Sequence, residues 1–327
     1  MSEKRFESVL RKEFHDLIAM KRALGYKYDT DEGALHRIDS FLVESGLQTK
    51  EIPRELCERW CRKRSYESPA NHSSRISSMR VFCRYLVDIG IEAYIPPMNL
   101  ATKSRKYDAH IYTADELSRF FAAVDTSQSV NSECPYRGIV MPTFFRILYS
   151  SGFRVSELRL ARVKDVNLEE GCIVVKGGKN RKDRIVLIHP SLVERCRAIK
   201  ENIHKQSSEE EFFFMLRPGR EMTLGNVYHN FRRYLEKAGI PHTGRGPRVH
   251  DFRHSYCVHL LLKWNSEGKD LLTWLPYMRT MLGHEGFEET AYYLKLTVEA
   301  YPFIRENLTR AFPSIIEEVS FNDHEFY

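Results

Sequence analysis

At 327 residues the chain is long enough for two domains, each with its own core. Its 42% hydrophobic and 29% charged residues are those of an ordinary globular protein. Its longest apolar runs, such as Leu260-Leu261-Leu262, fall far short of the roughly 18 residues that cross a bilayer. A net charge of +6 favours a polyanionic partner.

Residues 1 to about 95 read as helices. Phe14, Leu17, Ile18 and Leu24 recur at helical spacing, as do Leu35, Ile38, Leu42 and Val43. A third helix is expected over Arg54 to Lys63 and a fourth over Ser73 to Asp88, ended by Gly90. Pro96-Pro97 breaks the pattern, closing a first domain at residue 97. The stretch 98–112 has little apolar periodicity and carries Lys103, Arg105 and Lys106, so it reads as an interdomain linker. Thr113 with Glu116 three residues on is a capping box that opens a second domain over 113–311.

That second domain is mostly helical with one β insertion. Cys172 to Val175 and Arg184 to Ile188 are β-rich runs around Gly177-Gly178-Lys179-Asn180, which predicts a hairpin with a basic tip. Helices follow near Leu192 to His204, Asn226 to Ala238, His254 to Lys263 and Leu271 to Met281. The fold class is therefore mainly α with a small β-hairpin: a helical N-terminal domain and an α+β second domain. Residues 312–327 form an acidic tail without Lys or Arg, in which Ile315, Ile316, Val319 and Phe321 are apolar. Seven cysteines, an odd number at irregular intervals, fit reduced thiols, and no N-terminal stretch has a signal-peptide core, so a cytoplasmic protein is expected.

Six residues, Arg154, Lys179, His250, Arg253, His284 and Tyr293, could do chemistry together. Ser151-Gly152-Phe153-Arg154-Val155-Ser156-Glu157-Leu158 places an arginine after a glycine, where a guanidinium could hold two phosphate oxygens and Glu157 could orient it. The bland alternative is a surface Arg–Glu pair. His-x-x-Arg occurs four times, at His72, His229, His242 and His250. Only His250-Asp251-Phe252-Arg253 follows a basic Gly/Pro loop and opens an apolar helix, which sets His250 beside Arg253 at a helix N-terminus suited to phosphate. His250 could instead simply cap that helix. A metal reading through His250 and His254 has no evident third ligand, and Cys57 with Cys61 fits a buried thiol pair better than zinc. Leu282-Gly283-His284 ends a helix, and Tyr293 lies nine residues beyond His284, beside Tyr292. A phenol becomes a nucleophile only when it is held in line and its proton is removed.

Gly-Phe-Arg-Val-Ser-Glu-Leu, the Gly-Lys hairpin tip, Val-His-Asp-Phe-Arg-His, Leu-Gly-His and Thr-x-x-Tyr occur in the order found in tyrosine recombinases, the phage integrase family. The resemblance covers roughly residues 112 to 300, and the N-terminal part is similar in kind to the family's core-binding domain. It implies that Arg154, His250 and Arg253 bind a scissile phosphate and Lys179 protonates the leaving 5′-oxygen. His284 would order the site or bond the phosphate, and Tyr293 would attack phosphorus. Lys176 and Lys182 compete with Lys179 for the hairpin role, and Tyr292 with Tyr293 for the attack. The implied partner is double-stranded DNA carrying specific recombination sites, gripped by both domains with the linker alongside, and no metal or other cofactor is required. Arg59, Arg62 and Arg64 on the third helix, Arg75, Arg80 and Arg84 on the fourth, and Lys103, Arg105 and Lys106 in the linker are the candidate DNA contacts. The tail would dock into a neighbouring protomer, building a tetramer on two sites. Lys263 to Pro276 is longer than in recombinases that resolve chromosome dimers and looks more like integrases of mobile elements. Dimer resolution and a catalytically silent DNA-binding regulator are the competing readings.

Overall fold

The structure, a computed structural model, describes residues 5–100, 107–126, 133–177, 183–243, 246–284, 286 and 288–300. The chain divides into two compact units, Met1–Tyr107 and Asp108–Tyr327. Among the described residues no helix is long and apolar enough to cross a membrane.

The first unit packs α1 (Arg11–Ala23), α2 (Asp29–Glu44), α3 (Arg54–Cys61) and α4 (Pro69–Asp88). Their apolar stripes meet in one core: Phe14, Leu17 and Ile18 with Leu35, Ile38 and Leu42, against Trp60, Met79, Phe82 and Leu86. Phe14 stacks on Phe82 with ring centroids 3.9 Å apart. Leu24 and Val43, grouped with these stripes by spacing, are exposed. Leu24 is the residue at which α1 ends, beyond its last turn. The fourth helix starts four residues earlier than Ser73, because Ser68 accepts the Asn71 N–H and Pro69 occupies the first turn, where no N–H is needed. The third helix ends at Cys61, so Arg62 and Arg64 lie in the connection after it.

In the second unit, α5 (Ala114–Asp125) opens on the expected capping box, with Glu116 N–H bonded to Thr113 Oγ1 and Thr113 N–H to the Glu116 carboxylate. Then come α6 (Arg137–Ser151), α7 (Val155–Arg159), β1 (Val166–Asn167), β2 (Cys172–Val175), β3 (Arg184–Leu187), α8 (Pro190–Ile203), α9 (Leu224–Lys237), α10 (Asp251–Ser266), α11 (Leu271–Leu282) and α12 (Glu288–Ala300). The strands form an antiparallel sheet in the order β1-β2-β3, with Val175 opposite Arg184. The helix α6 is apolar on nearly every side (Val140, Met141, Phe144, Phe145, Ile147 and Leu148 are all buried), so it sits centrally and shows no amphipathic signature. Against it lies α10, which also packs on α11 and α12.

The linker expected over 98–112 ends earlier than its composition suggests. Tyr112 is fully buried, stacks on Phe252 at 4.9 Å, and donates its backbone N–H to Ser255 Oγ, which fixes the stretch 108–112 on the second unit. A second correction concerns Arg75. Its guanidinium forks onto Glu67 at 2.8 Å, donates to the carbonyls of Arg62 and Trp60, and lies over the Trp60 ring. Its side chain is 9% exposed and that of Glu67 8%, so Arg75 staples α4 to the end of α3 and is not available to a DNA phosphate.

Arg75→Ala leaves the sheltered Glu67 carboxylate with only the Arg64 N–H and should lower the stability of the first unit by about 1–3 kcal/mol. The exposed Arg59→Ala should change it by less than about 0.5 kcal/mol. Urea unfolding of the two variants checks this, and equal midpoints would return Arg75 to the surface.

Candidate active site

The arginine after the glycine is set by a turn that only glycine can make. Gly152 ends α6 at φ +62°, and a Cβ there would lie 2.8 Å from side-chain atoms of both Leu282 and Tyr256. The chain then turns through buried Phe153 so that Arg154 becomes the N-cap of α7. Its backbone N–H donates to Glu157 Oε2 and its Nη1 to Oε1, both at 2.9 Å. This is not a surface pair. The Glu157 side chain is 6% exposed, and Arg184, the first residue of β3, grips the same carboxylate through Nη1 at 2.9 Å and Nη2 at 2.6 Å. Burial pushes the Glu157 carboxyl up, but bonds and charge from Arg184, then Arg154, outweigh it and hold the group at about 2.

The second cluster is built on α10. His250 occupies the N-cap position without capping through its side chain. Asp251 takes the neighbouring Arg248 N–H at 2.7 Å instead, so the simple capping alternative does not hold. Burial, then the charges of Arg253 and Arg154, push the His250 pKa down to about 4. Burial, then His250 and Arg253, push His254 to about 3. Both imidazoles are therefore neutral at pH 7.

Arg253 is 2% exposed. It donates to the carbonyls of Gly152 and Leu282, the ends of α6 and α11, and to His284 Nε2 at 2.9 Å. A guanidinium can only donate, so His284 Nε2 accepts, which places the ring proton on Nδ1, 3.1 Å from Thr290 Oγ1. Tyr293 lies parallel to His284, with ring centroids 5.7 Å apart and planes 7° apart, and is 4% exposed. Burial, then Cys257, raise its phenol pKa, while Arg253 acts in the opposite sense.

These side chains share one cavity of about 330 Å³, lined by Arg154, His250, Arg253, His284, Glu289, Tyr292 and Tyr293. Five of the six residues picked from the sequence thus come together, and both candidate tyrosines face the same space. Lys179 lies outside the described residues, as do Lys182, Lys103, Arg105 and Lys106. Lys176, the alternative hairpin lysine, pairs with Asp165 at 2.8 Å. Among the other arginines proposed to touch DNA, Arg59, Arg62, Arg64 and Arg84 are exposed, while Arg80 donates to the Pro96 carbonyl. Sequence reasoning passed over Glu289 and Arg184. Arg184 closes the Lys-Asp-Arg at the start of the second strand, which was the available signal, and Glu289 carries none. Among the described residues no group of three His, Cys, Asp or Glu side chains is placed to hold a metal ion.

A cation-lined basin holding a buried phenol, carried on a helical fold with a small antiparallel sheet, defines a class of protein built to handle a phosphodiester. The chain belongs to the phage integrase family, whose model matches residues 111–299. It is 25% identical over 88% of its length to a Sinorhizobium fredii protein with the provisional name integrase/recombinase y4rB, covering 93% of that protein. It is 37% identical to the tyrosine recombinase XerA of Thermococcus kodakarensis over 47% of this chain and 50% of that one. Its fold is similar to that of the Tn1549 transposon integrase (TM-score 0.61, 13% identity, 89% of this chain and 99% of that one). It is also similar to that of lambda integrase (TM-score 0.56, 17% identity, 85% and 94%). The protein is a tyrosine-type site-specific recombinase.

The neutral histidines give the site a pH signature. Their native pKa values lie below the unfolded value of about 6.5, so between about pH 6.5 and 4 the unfolded chain binds protons that the native one refuses. Stability should fall as pH drops through that window, by up to about 1.4 kcal/mol per pH unit for each histidine. His250→Gln should flatten the dependence in urea unfolding series. A His250 ring titrating near 6.5 by NMR would contradict the assigned environment.

Proposed function

We propose that this recombinase cuts and rejoins DNA strands through a 3′-phosphotyrosyl intermediate, serving integration or excision of a mobile element. The observation that carries the reading is the Tyr293 phenol, buried against His284 in the cavity that Arg154, His250 and Arg253 also line. Arg154, Arg253 and neutral His250 would hold the scissile phosphate, with Glu157 orienting Arg154. Tyr293 oxygen would bond to phosphorus as the bond to the 5′-oxygen breaks, the phenol proton passing to the neutral His250 imidazole in the same cavity while Lys179 would supply the proton to the 5′-oxygen. His284 would order the site through Arg253. Fixed cations in a sheltered basin stabilise the pentavalent transition state more than the substrate, and that difference is the source of rate. The phosphotyrosyl bond conserves the energy of the broken ester, so no ATP is called for, and the guanidinium groups would supply the charge stabilisation that a metal supplies elsewhere.

DNA would be held by the first unit through arginines such as Arg59, Arg62, Arg64 and Arg84 and by the second through its cavity, with Lys103, Arg105 and Lys106 of the linker adding phosphate contacts and four protomers assembling on two sites in the cytoplasm. The long segment from Lys263 to Pro276, which carries the end of α10 and the start of α11, supports the mobile-element reading, as does the fold-level likeness to a transposon integrase. The 37% identity with XerA over 47% of this chain favours the second reading, resolution of chromosome or plasmid dimers.

A suicide duplex cut from the DNA flanking this reading frame should trap a covalent protein–DNA adduct, lost in Tyr293→Phe and kept in Tyr292→Phe. The reverse pattern would move the nucleophile to Tyr292. Arg154→Lys, which loses the two-pronged grip, should slow adduct formation on the order of 10²–10³-fold. Lys179→Ala should be slow on ordinary DNA and near normal when sulfur replaces the bridging 5′-oxygen, because a thiolate leaves without a proton. Equal defects on both substrates would exclude Lys179 as the acid.

A further inference from the structure

Arg184 lies outside the cavity, yet its side chain is only 9% exposed and its donors bind two parts of the site at once. Nη1 and Nη2 fork onto both oxygens of Glu157. Nε donates to the Met281 carbonyl at 3.0 Å, in the last turn of α11. The guanidinium also lies against Gly283, where φ is +66° and an added Cβ would come within 3.1–3.3 Å of Arg184 atoms. One side chain therefore joins the base of the hairpin, the start of α7 that presents Arg154, and the turn that leads into His284.

The charges at this junction matter as much as the bonds. Glu157 is shared between two guanidinium groups, so one unit of positive charge is left over, and Arg154 is the member of the trio that lines the cavity. Without Arg184, the Glu157 carboxylate would pair with Arg154 alone and cancel the charge meant for the phosphate. Buried ion pairs are strong enough for such cancellation because water screens them poorly.

We infer that Arg184 is a positioning residue of the strand-cleavage reaction, which fixes Arg154 through Glu157 and leaves the Arg154 charge free for the scissile phosphate. The inference rests on the proposed function, in which Arg154 binds that phosphate. It makes a particular demand: the harm done by losing Arg184 must come from Glu157, so neutralising Glu157 as well must relieve it.

The experiment measures single-turnover adduct formation on duplexes from the DNA flanking the reading frame, with sulfur at the bridging 5′ position so that the adduct accumulates. Gel-shift affinity and melting temperature are measured alongside. Arg184→Gln should slow adduct formation at least 10-fold, with DNA affinity within twofold of the wild type. The double variant Arg184→Gln/Glu157→Gln should react faster than Arg184→Gln and within threefold of Glu157→Gln alone. The comparison of the double variant with Glu157→Gln stands even if Arg184→Gln proves too unstable to assay. A folded Arg184→Gln that reacts within threefold of the wild type overturns the inference. So does a loss of more than 10-fold when Arg184→Gln is added to Glu157→Gln, which would mean that the side chain is merely structural. If the wild type forms no adduct, the proposed function fails instead, so the two failures are distinguishable.

Discussion

A cluster of cations that must wait for an anion repels itself, and the second unit is arranged around that difficulty. Arg253 is buried, but two backbone carbonyls and an imidazole take its donors. Arg154 and Arg184 share one carboxylate. His250 and His254 stay neutral because burial and the neighbouring guanidinium groups make protonation unfavourable. Positive charge is thereby concentrated beside the cavity with the guanidinium donors of Arg154, Arg184 and Arg253 turned onto acceptors, since a buried charge left without partners would cost more than the bonds gain.

The same interactions hold the fold together. Arg253 ties the carbonyl ends of α6 and α11 to α10, and Gly152 permits that convergence because any side chain there would strike Leu282 and Tyr256. Arg184 adds the sheet to the same junction. Elements distant in sequence are thus pinned by the side chains that surround the cavity, and a displacement of one would be felt by the others. Stability and site geometry are two readings of one set of contacts in this unit.

Much of this was legible along the chain wherever the signal was local. Thr113 and Glu116 form their capping box, Cys172 to Val175 is a strand over the expected residues, and α11 begins at Leu271 as its periodicity indicates. Where the signal depended on surroundings, reading failed. The helix α6 gave no period because it is buried on nearly every side, and 108–112 looked like linker because Tyr112 finds its partners, Phe252 and Ser255, far along the chain. Arg75 was grouped with surface arginines, since composition does not distinguish a guanidinium over an indole from one in water.

The sequence alone determined which chemical groups are present, their order, and the local turns that present them, because caps, glycine turns and β-branched runs act over a few residues. Only the tertiary structure decided that the imidazoles are neutral, that Arg184 reaches the carboxylate Arg154 also holds, that Glu289 enters the basin and that Tyr293 lies flat on His284. Those properties arise from burial and from charges brought close by folding. They belong to pairs of residues far apart in the chain, and no single stretch of it encodes them.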